Sequence, residues 1–116
     1  MKKNFLLLLI FLSGFFFSQA YSPDILGNGF EQKTLNFPND YEGTVTATII
    51  RKKAASPTHK AVLYIHGFND YFFQKEMAEK FNEKEFDFYA LDLRKYGRSY
   101  LPHQTFNNVR NLDEYN

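Results

Sequence analysis

The chain has 116 residues, 44% of them hydrophobic and 19% Phe or Tyr, with no cysteine and a formal net charge of +1. That length holds one small domain and excludes two, and so apolar a chain is not a disordered tail. The near-neutral balance gives no electrostatic footprint for nucleic acid or an anionic membrane, and the lack of Cys excludes disulfide scaffolds, thiolate zinc sites and a thiol nucleophile.

The first residues read as an export leader. Lys2 and Lys3 form a short basic start, Phe5–Phe17 is an apolar run broken only by Ser13 and Gly14, and Ser18-Gln19-Ala20 offers small residues for a signal peptidase. The run is shorter than the roughly 20 apolar residues needed to cross a bilayer. It has no polar face between Phe5 and Leu12, as a buried surface helix would require. Residues 1–20 are therefore expected to be a cleaved signal, with an uncleaved anchor as the alternative. The product is then periplasmic or secreted, with no stable membrane span once the signal is removed. With no Cys after the run, lipoprotein anchoring is excluded. The remainder has a net charge of −1 and keeps 17 of the 22 aromatic residues.

Residues 21–33 are rich in Gly, Pro, Asn and Ser and read as an irregular lead-in, followed by one short strand around Thr34–Phe37. Thr44–Arg51 is β-branched with apolar residues at alternate positions, the pattern of a half-buried and antiparallel strand. Lys52–Lys60 is a polar turn region containing Pro57. Ala61–Ile65 is a continuous apolar run of strand length, which predicts a strand buried on both faces. Phe73, Met77 and Phe81 share one helical stripe, so a helix is expected over Phe73–Phe81, capped by Asn69 or Asp70 and braced by a Glu76–Lys80 pair. In this reading Phe72, Phe73 and Phe81 belong to the core. Phe86–Leu91 is a second apolar strand, so strand, helix and strand form a βαβ unit with parallel strands and a right-handed crossover. The tail after Pro102 is polar. Asn111-Leu112-Asp113-Glu114 has the residues of a helix start, with Asn111 as cap and Glu114 at the capping-box position.

Strands buried on both faces need a covering layer on each side of the sheet, and one clear helix covers one face only. The chain is accordingly expected to be the N-terminal part of a larger α/β domain, or else a small domain completed by a partner chain.

Two segments carry chemistry. Ala61–Ile65 runs into His66-Gly67-Phe68-Asn69-Asp70-Tyr71 at the place where open parallel sheets bind ligands, and Gly67 lets the backbone approach closely. The second strand runs into Asp92-Leu93-Arg94-Lys95-Tyr96-Gly97-Arg98-Ser99. Together, AVLYIHGFNDYFFQ and FYALDLRKYGRS resemble the third strand, oxyanion loop and fourth strand of an α/β-hydrolase. The branch most similar is the serine aminopeptidase, lysophospholipase and monoglyceride-lipase-like group, and the resemblance spans residues 34–116. It departs from the family pattern at Lys95, where Gly is usual.

The resemblance implies an α/β-hydrolase-like sheet, first portion only, in an exported serine hydrolase acting on esters, lipid acyl esters or peptides. The Phe68 N–H would be one oxyanion-hole donor, as the residue after His-Gly. His66 and Gly67 would structure that loop. Asp92, Arg94, Gly97 and Ser99 would form the turn after the next strand, with Asp92 and Arg94 tying it through hydrogen bonds or a mutual salt bridge. Tyr71 and Phe68 could line an acyl pocket. No G-x-S-x-G elbow occurs: Ser99 lacks the final Gly, so the nucleophile, acid and base would lie beyond Asn116. His59, His66 and His103 stand in no metal-ligand spacing, and neither metal nor cofactor is expected. The alternative function is a short secreted, non-catalytic binding protein built on half a hydrolase sheet.

Overall fold

A computed structural model describes residues 19–115. All but the last two residues of the expected leader lie outside the described residues. Among the described residues no helix is long and apolar enough to cross a membrane.

Five strands form one mixed sheet: β1 (Ser22–Pro23), β2 (Glu31–Asp40), β3 (Gly43–Lys52), β4 (Ala61–Ile65) and β5 (Asp87–Asp92), in the order β1-β2-β3-β5-β4. One helix, α1 (Lys75–Glu83), joins β4 to β5. The first pairings, β1 with β2, β2 with β3 and β3 with β5, are antiparallel. β4 and β5 pair in parallel, with Val62 opposite Phe88 and Tyr64 opposite Ala90. The chain is thus an α/β fold with a mixed sheet, in which the expected βαβ unit sits at one edge.

β4 has the bounds expected from its apolar run, and β3 and β5 differ from expectation by one residue at each end. β2 is the larger departure. It begins at Glu31, inside the stretch read as irregular, and runs ten residues. Its sequence is mostly polar, so its conformation comes from the ladder with β3, running from Glu31↔Arg51 to Phe37↔Val45. The register slips between Phe37 and Asp40, and Pro38, which cannot donate to a ladder, sits within that slip.

The helix starts later than its stripe suggested. Gln74 is the flanking residue, and no side chain caps the first turn. Asp70 instead accepts from the N–H of its neighbour Tyr71 at 2.8 Å, and Asn69 lies in the left-handed region at φ 57°. Phe73 precedes the helix and is half exposed, while Phe72 is the fully buried member of the pair. Ala78 is buried, and Met77 and Phe81 pack on the core. Lys80 pairs with Glu83 at 3.5 Å, not with Glu76.

The core lies between α1 and one face of the sheet. Phe30, Ile50, Phe72, Ala78, Phe88 and Ala90 form it, with Val62, Tyr64, Met77 and Phe81 packed around them. Much of the aromatic content is spent here: Phe72 stacks on Phe88 at 5.2 Å, Tyr64 at 5.8 Å and Phe30 at 6.2 Å between ring centroids.

The opposite face is covered only in part: Val45 and Ala47 of β3 are buried there. β4 is not buried on both sides: Leu63 is 58% and Ile65 54% exposed. The apolar run matches a doubly buried strand, but β4 occupies the edge of the sheet. Nothing among the described residues covers its outer face.

At the tail, Leu112–Tyr115 is a short 3-10 turn. Asn111 Oδ1 accepts the Asp113 N–H at 2.9 Å, which is the expected cap. Glu114 reaches back to the Arg110 N–H at 2.9 Å, one residue earlier than a capping box would have it.

Candidate functional site

β4 and β5 run in parallel and end side by side, so the two loops that follow them meet at one end of the sheet. In the first loop, His66 is buried against the Tyr96 ring at 4.8 Å. Its Nε2 accepts the Leu93 N–H at 3.0 Å, which leaves the proton on Nδ1, and Nδ1 donates to the Gly67 carbonyl at 2.7 Å. Both ring nitrogens are thereby used to join the β4 loop to the end of β5. Neither is free to act as a base.

Gly67 has open space around its Cα. Phe68 is 83% exposed, and among the described residues its N–H has no acceptor. A donor on an exposed loop at a strand's C-terminal end can meet a developing negative charge on a bound molecule. Tyr71 is partly exposed, stacks on Phe73 at 5.2 Å, and borders this loop.

The second loop is held by buried charge. Asp92 is fully buried; one carboxylate oxygen accepts the Phe72 N–H at 2.8 Å, and the other accepts the Arg98 N–H at 3.0 Å. Arg98 Nη1 donates to that second oxygen at 2.9 Å and to the Phe72 carbonyl at 2.8 Å. The rest of its fork is bidentate on Asp24, with Nε at 2.7 Å and Nη2 at 3.0 Å. Burial disfavours the Arg98 charge, but its hydrogen bonds to Asp24 and Asp92 outweigh that and raise its pKa.

Arg98, not Arg94, is the partner of Asp92. Arg94 pairs with Glu114 at 3.1 Å, and so ties the turn to the tail. Of the two arginines, only the second reaches back to the Asp92 carboxylate. Ser99 is buried; its Oγ donates to the Asp92 carbonyl at 2.7 Å and lies 3.1 Å from Thr48 Oγ1. This serine is committed to structure and cannot be reached as a nucleophile.

Gly97 has φ +46°, and a Cβ there would stand 2.6 Å from both Asp92 Oδ2 and Tyr71 Cβ. Only glycine fits. Lys95 sits at φ 67°, in the conformation that glycine adopts without cost. Its fully buried side chain reaches Asp40 at 2.8 Å and Glu42 at 2.5 Å, over the Tyr41 ring at 4.3 Å. The hydrogen bond from Lys95 and the Thr105 N–H hold Glu42 down at about 2. For Lys95 itself, burial works against the charge, but the bonds to Asp40 and Glu42 prevail and its pKa is raised.

Among the described residues no group of three His, Asp or Glu is placed to hold a metal ion. A cleft of about 380 Å³ lies away from the β4 loop, between Phe37, Ala47, Leu91, Arg94 and Tyr115. The sequence motifs contain Arg98 but give no sign of its role. Nothing near Asp24 marks it at all, since its partner is 74 residues away.

Comparison of the chain with family models, curated proteins and solved structures gave no match.

Proposed function

We propose that this chain forms the first part of an exported α/β-hydrolase-like serine hydrolase, cleaving carboxylic or lipid acyl esters, or peptides, by acyl transfer. The observation that carries the reading is the Phe68 N–H. Phe68 is exposed and its N–H has no acceptor among the described residues, at the end of β4, on a loop tethered at His66 and at Phe72 to the end of β5. An oxyanion donor needs a tethered backbone and an N–H without a partner in the protein, and both are met here. The strand order supports it, since β2, β3, β5 and β4 stand as the first, second, fourth and third strands of such a sheet would.

The nucleophile, acid and base are supplied in this reading by sequence following Asn116. Ser99 is buried and bonded, and the chain holds no G-x-S-x-G. Acyl transfer then follows the usual course: serine attack, an oxyanion held between two N–H donors, and hydrolysis of the acyl-enzyme. The second donor is the residue after the nucleophile.

The test has two arms. The reading frame beyond codon 116 is expected to continue into a G-x-S-x-G followed by an acid and a His; unrelated sequence there overturns the proposal. In the protein so extended, Phe68→Pro removes one N–H and is expected to lower kcat on a nitrophenyl ester by about 100-fold or more. The 116-residue chain by itself is expected to show no turnover. Turnover by it that Phe68→Pro abolishes would refute the dependence on further residues.

The exposed Leu63 and Ile65 favour one other reading, a secreted binding protein whose partner covers the outer face. It requires residues 1–116 to unfold in one cooperative transition. A broad transition with strong binding of an apolar dye counts against it.

A further inference from the structure

We infer that the N-terminal lead-in positions the loop after β4, with Asp24 and Arg98 as the positioning residues. Phe68 sits between two anchors. The first is His66, bonded to the Leu93 N–H, and the second is Phe72, whose N–H and carbonyl are both held, by Asp92 and by Arg98. The second anchor depends on where the Arg98 guanidinium points. A bidentate carboxylate pair fixes the plane of a guanidinium, whereas the two contacts of Nη1, to Asp92 and to the Phe72 carbonyl, hold it by one nitrogen only. The bidentate partner of Arg98 is Asp24, from the lead-in. Asp24 is itself held in place, with its N–H on the Phe30 carbonyl at 2.9 Å and its Oδ1 accepting the Leu26 N–H at 3.0 Å. Residues just after the expected cleavage point thus set the orientation of Arg98, and through Phe72 the pose of the Phe68 N–H.

The charge count makes this separable from folding. The cluster holds two carboxylates and one guanidinium. Asp24→Asn therefore leaves a balanced Arg98–Asp92 pair, not a stranded buried charge. Its effect is local to the loop.

The purpose of the tether rests on the oxyanion role proposed for Phe68, but the tether is read without any substrate. In the 116-residue chain, the Phe68 N–H is expected to show a backbone order parameter of about 0.85, falling below about 0.6 in Asp24→Asn. Amide exchange at Phe72 is expected to become at least about ten-fold faster, with the amides of β3 and β5 unchanged. Arg98→Ala is the second variant. It should loosen the same amides, and millimolar guanidinium, but not an equal concentration of sodium chloride, should restore their protection. A mobile Phe68 in the wild type, an unchanged loop in Asp24→Asn, or equal acceleration across the whole sheet in Asp24→Asn overturns the inference. So does a guanidinium salt without effect on Arg98→Ala. Failure of ester hydrolysis bears on the proposed activity and leaves these readings untouched.

Discussion

The two faces of the edge strand β4 are equally apolar and end in opposite states. Towards α1, Phe88 and Ala90 are fully buried and Val62 and Tyr64 pack against the core. On the other side, Leu63 and Ile65 of the same strand pair are more than half exposed. Hydrophobicity of a strand therefore says that it can be buried, while its place in the sheet decides whether it is. An edge strand with one helix above it keeps one dry face and one wet one.

The largest expected effect tests the dry face. Phe88→Ala removes a ring packed against Phe72 and Phe81 and should lower stability by about 3–5 kcal/mol, read as a shift of the urea midpoint. A cost below ~1 kcal/mol would erase the difference between the faces.

Next comes the end of the sheet, where burial is polar. Gly97→Ala forces a Cβ into Asp92 and Tyr71 at a left-handed φ, and should cost about 1–3 kcal/mol. It should also loosen the Phe72 amide, because Asp92 holds that N–H.

A pH titration sharpens the contrast between buried apolar groups, which do not titrate, and the Lys95 cluster, which does. The folded pKa of Glu42 is lowered from 4.5 to about 2, and that of Asp40 is lowered as well. In Asp40 burial acts upwards, but Lys95 and the Glu42 N–H outweigh it. A depressed carboxylate stabilises the fold fully above its unfolded pKa, and that contribution is lost as pH falls through the folded value. Thermal melts should therefore drop between about pH 4.5 and about pH 2, and Lys95→Met should flatten the drop. An acid profile identical in Lys95→Met would place the acid sensitivity elsewhere.

The smallest effect belongs to the wet face. Leu63→Ser should change stability by no more than about 0.5 kcal/mol and reduce binding of an apolar dye. A loss as large as that of Phe88→Ala would mean that this face is covered in solution.

What was legible in the sequence follows from the range of the forces involved. Ala61–Ile65 and Phe86–Leu91 announce strands because a run of large apolar residues of that length has few other uses. β2 was not legible beyond its middle, since Glu31-Gln32-Lys33 has no strand pattern and is held by pairing with β3. The stripe of Phe73, Met77 and Phe81 placed the helix too early. Phe72 fills the core from the segment ahead of the helix, and its neighbour Phe73 is left half exposed. In the site, the His66-Gly67-Phe68 loop and the Asp92 turn stood out by their motifs, but the choice of Arg98 over Arg94 as partner of Asp92 did not. Two arginines four residues apart look alike until the turn between them is folded.

The sequence by itself determined the local grammar of this protein: three apolar or alternating strands, one amphipathic helix, and two loops with polar residues directly after strands. Only the tertiary structure decided which face of β4 is dry, that Lys95 closes on Asp40 and Glu42, and that Asp24 reaches Arg98 across 74 positions. Strand and helix patterns record contacts between near neighbours in the chain. The partners of a buried charge depend on the order of the strands, which no local pattern contains.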